Sequence, residues 1–161
     1  MDGLLTLPHF LRSKPNLGKS TSNVILLDYD YDADKAVEVF SKRWPFVSKF
    51  RWPVVDQLKG KVNWVEARRT YHGLHIYVDL KMRLPDLLLI LVQYALGSDF
   101  RREALNFGRI MENTKNDSNL LYREKWAARR DGYEIQSQET LDRRLTRKLH
   151  RTIFHPKRGK P

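Results

Sequence analysis

The first candidate reaction site along the chain is a group of acidic side chains at alternate positions. Asp28, Asp30 and Asp32 follow the apolar run 24–27 at a spacing of two, so on a β-strand they would project from one face. Two carboxylates a few ångströms apart repel each other unless a cation lies between them. Mg²⁺ and Mn²⁺ bind in this way, through carboxylates, waters and substrate phosphates. The spacing indicates a divalent-cation site; the alternative is a solvated strand end that caps the next helix.

A histidine and a further acid lie on one face of a later strand. The segment 74–80 alternates strictly between apolar and other residues, which is typical of a strand with one buried face. If this strand neighbours the first one, His75 and the carboxylates converge on the open side of the sheet. His75 could then hold a phosphate oxygen, and Asp79 is a candidate metal ligand with a surface ion pair as its alternative. Leu74, Ile76, Val78 and Leu80 are expected on the core face, and His75, Tyr77 and Asp79 on the other.

The elements that would position these residues form an α+β pattern. Residues 1–22 predict an N-terminal arm, 23–125 an RRM-like core and 126–161 a basic, helical C-terminal extension. Within the core the order is β-α-β-β-α-α-β, close to the split βαβ plan with helices on one face of the sheet. The predicted strands are 23–32, 61–69, 74–80 and an edge strand at 119–125. The predicted helices follow Asp32 or Asp34 as far as Pro45, span 85–96, begin at Ser98 or Asp99, and span 138–151.

Two of these segments resemble motifs of a known family. VILLDYD resembles the hydrophobic-Asp-x-Asp motif of archaeo-eukaryotic primases and their prim-pol relatives, and Gly73-Leu74-His75 is similar to their small-x-His motif. The resemblance covers about residues 23–80. It implies a role in DNA replication, with Asp28 and Asp30 binding Mg²⁺ or Mn²⁺ and His75 contacting the phosphates of a nucleoside triphosphate. The family's third acidic motif has no match, since the predicted fourth strand offers only Glu124.

The charge of the chain predicts a polyanionic partner. Thirty Lys and Arg against 19 Asp and Glu give a net charge of +11, and the segment from Leu121 onward carries 12 basic and five acidic residues. Such a balance favours DNA or RNA, although a solvated charged surface is the alternative for each residue. The candidate nucleic-acid contacts are Arg68, Arg69, His72, Arg101, Arg102, Arg147, Lys148 and Arg151. Tyr29, Tyr31, Trp64 and Tyr77 could stack bases, with Trp64 and some tyrosines expected in the core.

Composition also argues against several other classes. The chain has no cysteine, which excludes disulfides and thiolate metal sites and favours a reducing, cytoplasmic location. The N-terminus lacks the layout of a signal peptide, and the most apolar segment, 84–96, is too short to span a bilayer. We therefore expect no membrane partner. The leading hypothesis is a metal-dependent nucleotidyltransferase of the primase type. The alternatives are a non-catalytic DNA- or RNA-binding protein and a metal-dependent nuclease.

Overall fold

A computed structural model describes residues 23–53, 55–111, 124–129 and 132–156. The predicted arm at 1–22 lies outside this part of the chain. The described elements are β1 (Val24–Tyr29), α1 (Ala33–Lys49), β2 (Val62–Arg69), β3 (Leu74–Leu80), α2 (Asp86–Leu96), α3 (Phe100–Met111), β4 (Glu124–Arg129), β5 (Gly132–Gln138), β6 (Thr140–Leu141) and α4 (Arg143–Phe154).

Four of the strands form one antiparallel sheet in the order β1-β3-β2-β6. Ile76 in β3 lies opposite Leu27 of β1 on one side and Ala67 of β2 on the other. The fold class is α+β, as predicted, and the β1-α1-β2-β3 order is compatible with a split βαβ arrangement. β1 and β3 are neighbours, which the placement of Asp28 near His75 required.

The two faces of the sheet separate as the alternation predicted. The core-facing side chains of β1, β2 and β3 pack with α1, α2 and α4, so these helices lie on one face. On the opposite face, Leu26 and Tyr77 form a small separate cluster with Val24. The predicted core residues Leu74, Ile76, Val78 and Leu80 are all buried in the main cluster.

α4 belongs to this same core. Leu145 and Leu149 are fully buried in it, and α4 packs against β2. Asp142 begins the helix, because its carboxylate accepts a hydrogen bond from the Leu145 N–H (2.9 Å), the usual role of an N-cap. The predicted helix 138–151 was therefore placed too early: residues 138 to 141 are strand or link, and the helix runs to Phe154.

The prediction that residues 119–125 form the fourth strand of the main sheet was wrong. Residues 119–123 lie outside the described chain, and β4 pairs with β5 in a separate two-stranded sheet. The fourth strand of the main sheet is β6, which pairs with β2 at the opposite edge. This leaves β1 at an edge of the described sheet.

Side chains and backbone after β3 occupy the free edge of β1, in place of a strand. A strand edge exposes unpaired N–H and C=O groups, and here those of Leu26 and Asp28 are satisfied. The contacts are Leu26 N–H to Gln93 Oε1 (3.0 Å), Arg102 Nη1 to Leu26 C=O (2.7 Å), Asp28 N–H to Ser98 Oγ (3.0 Å) and Asp99 N–H to Asp28 C=O (2.7 Å). Glu103 joins this edge cluster by accepting hydrogen bonds from Gln93, Ser98 and Arg102. The cluster explains why no other described strand pairs there.

Pro45 does not end the first helix, contrary to the prediction. α1 continues through it to Lys49, where the Phe50 N–H still bonds to the Phe46 carbonyl. A proline inside a helix removes one hydrogen bond, but Trp44 and Val47 on either side are buried in the core. Packing of this helix face therefore outweighs the local cost of the proline.

The described helices include none that is both long enough and apolar enough to cross a membrane. The apolar segment predicted as a buried helix forms α2, with Leu89 and Val92 fully buried.

Candidate functional site

Asp28 and His75 lie directly opposite each other on β1 and β3. Both side chains project from the face that α1, α2 and α4 leave uncovered, and His75 Nε2 is 3.4 Å from Asp28 Oδ1. The convergence predicted from the two motifs is therefore present for these two residues. His75 is buried, while the Asp28 side chain keeps about 20% of its surface exposed, so access to the pair is from the Asp28 side.

Gly73, the small residue of the small-x-His motif, is required here for a steric reason. A Cβ added to Gly73 would lie 1.7 Å from the backbone oxygen of Tyr29, so only glycine lets the β2–β3 turn approach the end of β1. Thr70 closes the turn, since its N–H bonds to the Gly73 carbonyl (3.0 Å) and its Oγ1 accepts from the Gly73 N–H (2.9 Å). The turn thus fixes the start of β3 at Leu74, one residue before His75.

Glu139 is a site residue that the sequence reasoning missed. It lies between β5 and β6, and its carboxylate is 2.9 Å from His75 Nδ1 and accepts from the Tyr77 hydroxyl (2.8 and 3.0 Å). Arg68 Nη1 is 3.7 Å from the same carboxylate, whose side chain is only 2% exposed. The imidazole of His75 is therefore held between two carboxylates, from Asp28 and from Glu139.

These carboxylates set the charge of the histidine. Burial would lower the pKa of His75, but hydrogen bonds and charge interactions with Asp28 and Glu139 outweigh burial and raise its pKa above the ordinary value. The raised pKa favours the imidazolium form, which bridges the two carboxylates. The three side chains form one linked network (the Asp28–His75–Glu139 network), and Arg68 lies at its edge as a cation paired with Glu66 and Glu139.

Within this network, among the described residues, only the Asp28 carboxylate is open to a Mg²⁺ or Mn²⁺ ion, because the Glu139 side chain is 2% exposed. Asp28 faces an imidazole and not a second carboxylate, and Glu139 already accepts hydrogen bonds from His75 and Tyr77. Across the described ranges there is no group of three or more His, Asp or Glu residues arranged to hold a metal ion. The site as built orders a histidine between two acids.

Two of the three other predicted acids, Asp32 and Asp79, make their contacts outside this network. Asp30 follows the end of β1 and is exposed. Asp32 caps α1, its carboxylate accepting from the Lys35 N–H (2.9 Å). Asp79 is on the same sheet face as His75 but four residues along β3, about 13 Å away, where its carboxylate accepts from Asn23 (3.0 Å) and Asn63 (2.8 Å).

Four of the predicted nucleic-acid contacts make ion pairs within the protein. Arg68 and Arg69 pair with acids, the latter with Asp142 (2.6 Å), and Lys148 shares Asp34 with another arginine. Arg102 is buried in the β1 edge cluster and does not lie on the surface, because its guanidinium satisfies the Leu26 carbonyl. His72, Arg101, Arg147 and Arg151 are exposed, as a phosphate contact requires.

The aromatic residues predicted to stack on bases also include both buried and exposed side chains. Tyr29 is fully buried and donates its hydroxyl to the Leu96 carbonyl (2.9 Å), and Tyr77 is buried against Glu139. Tyr31 is partly buried against the core. Trp64, expected in the core, has 44% of its surface exposed.

The solvent-facing side of α4 is the most cationic helical surface among the described residues. α4 contains five Lys or Arg and no acid. Arg144 and Lys148 bind the carboxylate of Asp34 at 2.7–2.9 Å. Hydrogen bonds from Arg144 and then Lys148 hold the pKa of Asp34 well below its usual range. The remaining three, Arg143, Arg147 and Arg151, are exposed at a spacing of four and form no ion pair within the described chain.

Comparison with known proteins finds no matching family model, no matching characterised sequence and no matching solved structure. The resemblance to primases and prim-pol proteins stays a prediction from the two motifs.

Proposed function

We propose that the protein is a nucleic-acid-binding protein that contacts the phosphate backbone through the solvent-facing side of α4. The observation that carries the proposal is the row of Arg143, Arg147 and Arg151, exposed and without an acidic partner among the described residues. Residues four apart lie on one side of a helix, about 6 Å apart along its axis. Such a row of guanidinium groups matches a row of phosphates and carries no base specificity.

The fold supports this use of α4 because the helix is fixed on its other side. Leu145 and Leu149 anchor it in the core, and Asp34 holds Arg144 and Lys148 in place. A preorganised cationic face loses less side-chain freedom on binding than a flexible tail would. The overall net charge of +11 adds long-range attraction for a polyanion.

The further parts of the proposal rest on the sheet and on composition. The β1-α1-β2-β3 order, with α1 and α2 on one face, supports comparison with RRM-like domains. In such domains bases stack on the open sheet face, where Trp64 is the exposed aromatic side chain on β2. The absence of cysteine supports a reducing, cytoplasmic location,.

Replacement of the three arginines tests the proposal. A variant with Arg143→Gln, Arg147→Gln and Arg151→Gln should bind fluorescent DNA or RNA at least about tenfold more weakly at moderate salt, because three phosphate contacts are lost. The matched control replaces three other exposed cations by Gln, so that both variants lose three charges. The control residues are Lys49, Lys59 and Lys61.

The control should have a dissociation constant within about twofold of that of the unmodified protein, since surface charges far from the interface are largely screened at moderate salt. Equal weakening in both triple variants would reduce the interaction to net charge and remove α4 as the interface.

The second candidate function is nucleotidyl transfer at the sheet face that carries Asp28 and His75, and the placement of Asp28 opposite His75 favours it. The test is primer synthesis or extension with nucleoside triphosphates and Mg²⁺ or Mn²⁺, comparing the unmodified protein with a variant carrying Asp28→Asn and Asp30→Asn. Activity lost in that variant, with nucleic-acid binding retained, supports transfer. Binding by a protein that extends no primer leaves α4-mediated binding as the function.

A further inference from the structure

The third helix presents apolar side chains to solvent and polar side chains to the protein. Its buried residues are polar or charged, and four of its exposed apolar residues form one stripe at the spacing i, i+4, i+7 and i+11. This is the spacing at which side chains share one helix face, and it is the repeat of a helix that packs against another helix. The buried residues are Arg102, Glu103 and Asn106; the stripe is Phe100, Ala104, Phe107 and Met111.

The second helix continues this surface. Leu87, Leu91 and Tyr94 are exposed at the spacing i, i+4 and i+7 along α2. The Tyr94 and Phe100 rings lie edge to face with centroids 6.3 Å apart. The two stripes therefore meet at the corner between α2 and α3 and form one apolar surface, here called the α2–α3 surface.

The size of this surface matches that of a specific protein interface. Its six large side chains are 45–68% exposed, which corresponds to roughly 100–150 Å² each and about 700 Å² together. This exceeds the largest apolar patch of a typical monomer, about 300–600 Å², and approaches the ~800 Å² that each partner contributes to a stable complex.

We propose that the α2–α3 surface is the interface of a homodimer, in which α3 packs antiparallel against α3 of a second copy. The stripe is complementary to itself in that orientation. With the two-fold axis passing midway between Ala104 and Phe107, the small Ala104 lies opposite the large Phe107 of the second copy, and Phe100 lies opposite Met111. Large side chains then fill the space left by small ones, as close helix packing requires.

A two-fold axis explains why one stripe suffices. In such a dimer the same patch is used on both copies, so it must fit itself. In a parallel pairing each residue would instead face its own counterpart, with Phe107 against Phe107 and a gap at Ala104. The small Ala104 next to the large Phe107 therefore selects the antiparallel dimer, with Tyr94 extending the contact over the Met111 end of the second copy.

Phe107→Glu tests the interface, with Leu105→Glu as the matched control. Leu105 is on the same helix and is exposed to 62%, but it points about 160° away from Phe107 around the axis. Sedimentation should show a concentration-dependent dimer for the unmodified protein and for Leu105→Glu. The Phe107→Glu variant should remain monomeric with an unchanged circular dichroism spectrum. A monomeric unmodified protein up to about 100 μM, well above a micromolar dissociation constant, would overturn the proposal.

Cross-linking tests the orientation without destabilising the interface. Because the chain contains no cysteine, Ala104→Cys and Met111→Cys each introduce a single thiol. In the antiparallel dimer the two 104 positions are offset by about 4.5 Å along the axis and the two 111 positions by about 16 Å. A short bis-maleimide should therefore join Ala104→Cys chains at least tenfold faster than Met111→Cys chains. Equal rates at both positions would contradict the antiparallel register.

Discussion

Replacement of Glu139 by Gln tests whether the Asp28–His75–Glu139 network is an ion network. The glutamine keeps the size of the side chain and an oxygen for the Tyr77 hydroxyl, but it removes the charge that His75 faces at 2.9 Å. A hydrogen bond between charged groups contributes about 1.5–3 kcal/mol. Arg68, at 3.7 Å and 30% exposed, adds less than about 1 kcal/mol. We expect the variant to lose about 2–3 kcal/mol, or about 5–10 °C in Tm.

The loss should depend on pH with a defined sign. The pKa of His75 is raised in the folded state, so its contribution to stability is complete below the unfolded pKa of about 6.5 and disappears as the pH rises through the folded value. The stability difference between the unmodified protein and Glu139→Gln should be largest on the acid side of this window and should shrink at higher pH. Denaturation curves at several pH values measure the difference, and NMR titration of the imidazole measures the pKa of His75.

Glu38→Gln is the matched control, because it removes the same charge from a pair that is 61–73% exposed and should leave the free energy of unfolding almost unchanged. An unchanged pKa of His75 in Glu139→Gln, or a stability loss no larger than that of Glu38→Gln, would refute the ion network.

Two further predictions concern the elements that support the sheet edge and the turn. Arg102→Ala should destabilise the protein by about 3–5 kcal/mol because it removes the cation that pairs with the buried Glu103 carboxylate,, whereas the exposed neighbour Arg101→Ala should stay within about 0.5 kcal/mol. Chemical denaturation of both variants measures this, and equal effects would contradict the edge cluster. Gly73→Ala should cost at least about 3 kcal/mol because its Cβ would overlap the Tyr29 carbonyl,. Gly108→Ala, in open space on α3, should stabilise by about 0.5–1 kcal/mol, and a tolerated Gly73→Ala would contradict the close approach.

The parts of the fold that could be predicted from the sequence are those set by local periodicity. The alternation along β3 placed four apolar side chains in the core and His75 on the opposite face, because the side-chain period of a strand is fixed by backbone geometry. The opposition of Asp28 and His75 followed once β1 and β3 were taken as neighbours. Both steps need only the local pattern of apolar residues and the rule that the first and third strands of a split βαβ sheet are neighbours.

The missed features depend on contacts between distant parts of the chain. Glu139 meets His75 across 64 positions in the sequence, and the predicted helix 138–151 hid its place beside the sheet. Arg102 was expected on an outward charged face, yet α3 turns its polar side toward the edge of β1. Hydrophobic periodicity alone cannot tell which face of a helix packs inward when the inner surface is a polar strand edge. The prediction that Pro45 ends the first helix was wrong because burial of its neighbours in the core keeps the helix intact.

The most direct test of the central claim, that α4 binds nucleic acid backbone, is the salt dependence of binding. Each phosphate contact contributes about 0.9 to the slope of log K against log salt concentration for a duplex, and about 0.7 for a single strand. Fluorescence anisotropy between about 50 and 200 mM salt should therefore give a slope smaller by about 2–3 in magnitude when Arg143, Arg147 and Arg151 are all replaced by Gln. An unchanged slope in that variant would contradict binding through α4.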